Sequence, residues 1–214
     1  MLAEHWPLLG LRIQVGAVEL RLPTDAELAG LADVAASGIQ KAGARTFLTP
    51  WTDLPPAERA RFVVQDAWEN RGRWTPDRWS LNLAVFADGL PVGMQDLRAS
   101  SFGLLREVAT SSWLGLGHQG SGIGTAMRHA VLHLAFAGLS ASDATTASFV
   151  DNPAPLGVSR KLGYTDDGIT RDLLHGAVVV SQRLRLTRER WAALDRPPVT
   201  ITGLEPCLPL FGLG

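Results

Sequence analysis

The residues with the clearest chemical signature are Gln119-Gly120-Ser121-Gly122-Ile123-Gly124-Thr125, where three alternating glycines stand between a strand-like and a helix-like run. Glycines let a backbone turn tightly and approach a ligand, and the unpaired N–H groups and dipole of a helix start favour an anion. The chemistry this predicts is the holding of a phosphate. A nucleotide-binding P-loop would follow its last glycine with Lys and then Ser or Thr, which Thr125-Ala126 does not provide. A dinucleotide fingerprint would need its third glycine at Thr125 and an opening strand near the chain's start. His129 and His133 have the spacing of two zinc ligands, but Ala130 stands where a zinc protease carries glutamate and no third ligand is evident, so no metal is expected. Cys207 lies far from the glycines and reads as a structural thiol.

A cradle needs a rigid base. Ile123, Met127, Ala130, Val131 and Leu134 recur at helical spacing, which predicts a helix from the glycines to about Gly138. Before it, residues 106–116 set Val108, Thr110, Ser112, Leu114 and Leu116 against Glu107, Ala109, Ser111, Trp113 and Gly115, the period of a strand. Upstream, 18–22 is strand-like, Thr24-Asp25-Ala26-Glu27 is a capping box, and Pro55-Pro56 opens a second helix carrying Phe62, Val63, Ala67 and Trp68, with Trp68 expected in the core. The stretch between these helices, with Gly38, Gly43 and Pro50, is irregular. Trp79, Leu81, Leu83 and Val85 lead into an Asp88-Gly89 hairpin and a return strand over 92–97. Residues 142–149 form a strand, Asn152-Pro153 starts a helix, and a last strand turns Val178, Val180, Leu184 and Leu186 inward with Arg183 and Arg185 outward. These elements make one domain over 1–196, followed by a Pro- and Gly-rich tail over 197–214. Lys plus Arg is 20 against 21 Asp plus Glu, a net charge of -1, so no global field draws the chain to nucleic acid or an anionic membrane. With one cysteine and no signal-like or long apolar run, a cytoplasmic location is expected.

Gln119-Gly120-Ser121-Gly122-Ile123-Gly124 matches the pattern Q/R-x-x-G-x-G/A, and Asn152-Pro153-Ala154-Pro155-Leu156-Gly157-Val158-Ser159-Arg160-Lys161-Leu162-Gly163-Tyr164 is similar to N-x-x-S-x-x-V-x-x-K-L-G-F/Y. In this order the two resemble the GNAT superfamily of acyl-CoA-dependent N-acyltransferases, and within it the RimJ/RimL-like ribosomal-protein N-terminal acetyltransferases. The resemblance implies an α/β fold, a mixed, mostly antiparallel twisted sheet with helices on both faces. It also implies acetyl-CoA as co-substrate. Its pyrophosphate would sit on the glycine loop, with Trp113, Leu114, Leu116, Gln119, Gly120, Ser121, Gly122, Ile123, Gly124, Thr125, Asn152 and Lys161 as the binding set.

The implied reaction is transfer of acetyl to a primary amine in a ternary complex, the acceptor being a protein N-terminus or a small molecule such as an antibiotic or metabolite. A silent acyl-CoA-binding module is the rival from another class, and a homodimer is compatible with the pattern. An amine must lose a proton to attack, so a carboxylate is sought. Glu107 leads, on the strand that would present the thioester, with Asp96 on its neighbour in reserve. The backbone N–H of Leu114 would polarise the carbonyl. Trp51 and Trp74, in loops, are expected on the acceptor wall. Pro155 stands where relatives carry a serine that could protonate the departing thiolate; Ser159, one turn deeper, and Tyr164 are the candidates to replace it, and with a thiol near pKa ~8.5 leaving at neutral pH no acid need serve.

Overall fold

The computed structural model describes residues 2–41, 44 and 46–213, so Gly43 of the irregular stretch lies outside the described residues. In chain order it contains α1 (Leu2–His5), β1 (Arg12–Val15), β2 (Val18–Arg21), α2 (Asp25–Ser37), α3 (Pro56–Gly72), β3 (Arg78–Ala87), β4 (Leu90–Ser100), α4 (Phe102–Leu105) and β5 (Glu107–Leu114). There follow α5 (Ile123–His133), β6 (Asp143–Phe149), α6 (Pro153–Lys161), β7 (Thr165–Leu174), β8 (Ala177–Thr187), α7 (Arg188–Ala192) and β9 (Thr200–Thr202). The strands form one sheet in the order β7-β8-β6-β5-β4-β3-β2-β1-β9.

Local chemistry sets most of these boundaries. Thr24 accepts from the Glu27 amide while Glu27 reaches back to the Thr24 amide, so both early donors of α2 are satisfied. Asp88 and Gly89 take φ of 51° and 77°, as the two central residues of the tight β3–β4 hairpin must. Met127, Ala130 and Val131 of α5, with Leu134 in the π-helical turn that follows it, pack against Val108, Leu114 and Ala144 on one face of the sheet. On the other face, Leu28, Leu31, Val63 and Ala67 of α2 and α3 cover Ala84, Phe86 and Met94. The sheet is therefore mixed, mostly antiparallel, and helix-covered on both sides.

Three expectations need correction. Trp68 is 54% exposed, because α3 buries the Val63–Ala67 line and the next position has turned about 100° away from it. In β8, Leu184 and Leu186 are buried but Val178 is 65% exposed, since pairing with β6 begins only at Ser181. The expected tail over 197–214 docks on the domain through its described residues. β9 pairs with β1, and Cys207 and Phe211 are fully buried. The segment has no period because its side chains dock one by one from an irregular path instead of repeating along a helix or strand.

Candidate active site

β5 and β6 run parallel and pair over only three residues, 107–109 with 143–145, and then part. Thr145 and Thr146 cap the last shared carbonyls, their hydroxyls donating to Val108 O and Thr110 O at 3.2 and 3.1 Å. On its other side β5 donates from Gly115 to Val92 O. Antiparallel alternation then aims the amides of Trp113 and Ser111 at β4, and those of Ser112 and Leu114 at the gap. The gap thus offers backbone donors with no strand opposite them.

The glycine loop closes one end of this gap. Gly120 and Gly122 have φ of 79° and 89°, in the left-handed region, and a Cβ on either would meet no neighbouring atom of the chain. Glycine is required there for the turn, and the space above it is open. Among the described residues, the amides of Gly120 to Gly124 donate to no backbone carbonyl, while Thr125 and Ala126 already bond Gly122 O. This geometry fits the pyrophosphate of a CoA ester. The side chain of Gln119 does not face that space. Its amide donates to Leu114 O and Ile39 O at 2.9 and 2.8 Å, pinning the loop to β5 and to the end of α2. Leu116 adds a backbone bond to Gly38 O, and Ser121 Oγ donates to His118 O.

The gap opens into a cavity of about 520 Å³, lined both from the α2–α3 side and from α5 and α6, which adjoins a second hollow of about 960 Å³ along α3 and β3. Trp51 forms an aromatic wall, stacked on Phe62 at 4.9 Å with Trp113 edge-on at 5.8 Å. Trp113 therefore turns its ring toward this wall and away from α5. Asp96 lies at the floor, bounding both cavities. It accepts hydrogen bonds from Asn82 Nδ2 and Ser111 Oγ, each at 2.9 Å. Asn82 also reaches Asp66 at 3.2 Å. Burial, reinforced by the Asp66 charge, outweighs these bonds and pushes the Asp96 carboxyl up to about 6. Burial likewise raises Asp66. Glu107 stands differently: its carboxylate is held by Arg185 at 2.5 Å, and Arg185 also reaches Asp143 and Asp167. Arg183 and Arg185, expected outward, line the cavity with Ser181.

Other expected residues do not gather there. Trp74 stacks on Trp79, meets Trp6 and Phe211 edge-on, and donates its indole N–H to Leu210 O at 2.8 Å, so it belongs to the structural cluster around the last residues and not to the acceptor wall. Asn152 is the N-cap residue of α6, whereas Lys161 is exposed at the far end of that helix. Ser159 is buried and accepts from Arg128 Nη2 at 3.2 Å; both line the cavity, as does Pro155. His129 and His133 lie half-buried outside the cavity, where burial and Arg196 lower both. Sequence reading missed Asp66, Asn82 and Arg128. Asp66 and Asn82 are single polar residues on otherwise ordinary elements, but Arg128 left a signal, a charge directly beside the apolar stripe of α5.

A profile of the acetyltransferase (GNAT) domain matches residues 17–165. Among solved structures, RimL, a ribosomal L7/L12 α-N-protein acetyltransferase in complex with coenzyme A, superposes with a TM-score of 0.65 at 18% identity, covering 82% of this chain and 97% of its own. RimJ of Mycobacterium smegmatis in complex with a CoA disulfide gives 0.66 at 17% identity, covering 89% and 92%. The microcin C7 self-immunity acetyltransferase MccE, in complex with acetyl-CoA and AMP, gives 0.62 at 14%, covering 80% and 93%. At these identities the three likenesses speak to fold.

Proposed function

The chain belongs to the GNAT acetyltransferase family and uses acetyl-CoA, and from that premise we propose that it transfers acetyl to a primary amine by direct attack, with Asp96 as the base. The observation that carries this reading is the Asp96 carboxyl. It lies in the cavity beside the β5–β6 gap and is pushed up to about 6, so that at neutral pH it is mostly ionised yet basic enough to accept a proton. Glu107 is the weaker choice, because its carboxylate is ion-paired through Oε2 with Arg185. Backbone amides of Leu114 and Ser112 polarise the acetyl carbonyl, and the loop from Gly120 to Thr125 receives the pyrophosphate.

For the acceptor we favour a protein or peptide N-terminus. The cavity and the adjoining hollow form an elongated path past Asp66, Glu69 and Arg73, longer than one small amine needs, and Asp66 with Asp96 would hold an ammonium beside the Trp51 wall. RimL and RimJ, whose fold the chain shares, agree with this reading, whereas MccE keeps the small-molecule reading in play. The test is to mix the protein with acetyl-CoA and a panel of peptides, polyamines and aminoglycosides while following free thiol. Thiol release with peptides bearing a free α-amine is expected. Release only with small amines would overturn the acceptor assignment, and CoA binding without any release would mark a silent module.

A further inference from the structure

Arg128, in the second turn of α5, is only 5% exposed, yet among the described residues no carboxylate pairs with it. Its Nη2 donates to Ser159 Oγ at 3.2 Å, and its guanidinium lies 5.5 Å from the centre of the Tyr164 ring. Among the described residues its Nε, shut from solvent, has no hydrogen-bond partner, and neither has the Tyr164 hydroxyl. A guanidinium is a permanent cation, and one left buried without a counter-charge is among the costliest arrangements a fold can keep. The side chain lines the cavity together with Ser159 and Pro155. The site therefore holds a fixed positive charge and an orienting hydroxyl beside Pro155, where the family pattern carries a serine.

Position gives that charge a task. Asp96 shares its strand face with Met94, which packs under α2 and α3, so the base lies on that side of the sheet. Arg128 comes from α5, on the opposite side. An amine entering from the Asp96 side attacks the carbonyl carbon, and the sulfur leaves toward α5 and α6. We propose that Arg128, with Ser159, receives the sulfur of CoA as a thiolate; this rests on the reading that the β5–β6 gap takes the thioester. As the carbon–nitrogen bond forms and the carbon–sulfur bond breaks, the electron pair stays on sulfur, facing the Arg128 N–H and Ser159 O–H donors. The proton lost by the amine passes to Asp96 and then to water. No acid at position 155 is required. A neutral thioester sulfur accepts hydrogen bonds poorly while a thiolate carries a full charge, so the interaction strengthens as the bond breaks, which is what lowers a barrier.

The test reads binding as well as rate. Affinities for CoA and for desulfo-CoA, which lacks the thiol, are measured by calorimetry between pH 6 and 9 in buffers of different ionisation enthalpy. Wild type should prefer CoA by at least about tenfold at pH 8 and release a proton on binding it near pH 7, because a thiol near pKa ~8.5 is driven to its thiolate. Arg128→Met should abolish both effects, Arg128→Lys should keep part of each, and Ser159→Ala should weaken them. Arg128→Met should also lower kcat by about 10²-fold with little change in KM for acetyl-CoA. Methionine is close in volume and removes an uncompensated charge, so the fold should hold, as thermal unfolding will verify. Equal affinity for CoA and desulfo-CoA in wild type, or an unchanged preference in Arg128→Met, would overturn the proposal. A thiolate preference without transfer to any amine would support it while overturning the acetyltransferase function. Wild type that binds neither ligand would overturn both.

Discussion

Asp96→Asn should separate stability from catalysis, and the direction follows from burial. The Asp96 carboxyl moves from its ordinary 3.8 to about 6, roughly two units, and each unit is ~1.4 kcal/mol of preference for the protonated form. Keeping Asp96 ionised in the fold thus costs about 3 kcal/mol at most, and ~2 kcal/mol once water in the cleft is allowed for. Because the folded value is raised, the protonated group's stabilising contribution is complete below about pH 4 and is lost as pH rises through about 6. Asparagine cannot ionise, is nearly the same shape, and can still accept from Asn82 and donate to Ser111. Urea unfolding of the two proteins should therefore diverge with pH, the variant gaining ~2 kcal/mol relative to wild type between pH 4 and 8. Above about pH 6, where the wild-type carboxyl is ionised, the variant's turnover with acetyl-CoA should be lower by about 10²-fold or more, and the gap should close as pH falls toward 4. A stability difference that stays flat across this pH range would refute the burial argument, and undiminished turnover would refute the assignment of the base.

Gly122→Asp should abolish measurable CoA affinity at a cost of about 1–2 kcal/mol in stability, since the position is open but left-handed and the new carboxylate would face the pyrophosphate; unchanged calorimetric affinity would remove the loop from the site. Glu107→Gln should leave turnover within about tenfold of wild type, because that carboxylate is already engaged by Arg185; a loss approaching ~10³ would return the role of base to Glu107. Trp74→Ala should lower stability by about 3–5 kcal/mol while leaving KM for the acceptor unchanged, as expected of a ring packed among Trp6, Trp79 and Phe211, and a raised KM with intact stability would put it back on the acceptor wall.

What could be read from sequence was whatever repeats or obeys a local rule. The capping box of Thr24 and Glu27, the Asp88-Gly89 turn and the glycine run each follow from contacts within a few residues, and each stands where its pattern places it. Asp96 and Glu107 were both legible as carboxylates on adjacent strands, but their ranking was not. It depends on Arg185, 78 residues from Glu107, and on Asn82 and Asp66 meeting across two other elements. Trp74 misled for a related reason: its partner Leu210 is 136 residues away, in a segment with no period to announce it. Arg128 sat in plain view on a helix whose apolar stripe was clear, yet its burial could not be seen before α6 was laid against α5.

The docking of the last segment bears on how the protein is made. Ribosomes deliver the chain from its N-terminus at ~5–20 residues per second, and domains usually collapse as soon as their core is complete. Here β9 covers the edge of β1, and Phe211 closes on Trp74 and Trp79, so β1 waits for residues 200–211 before its edge is paired. Until then β1 is an open template for another chain's strand, a hazard that grows with nascent-chain crowding. Cotranslational folding should therefore stall with the sheet from β2 to β8 assembled and its β1 edge unsealed, and should finish only after residues 200–211 clear the exit tunnel.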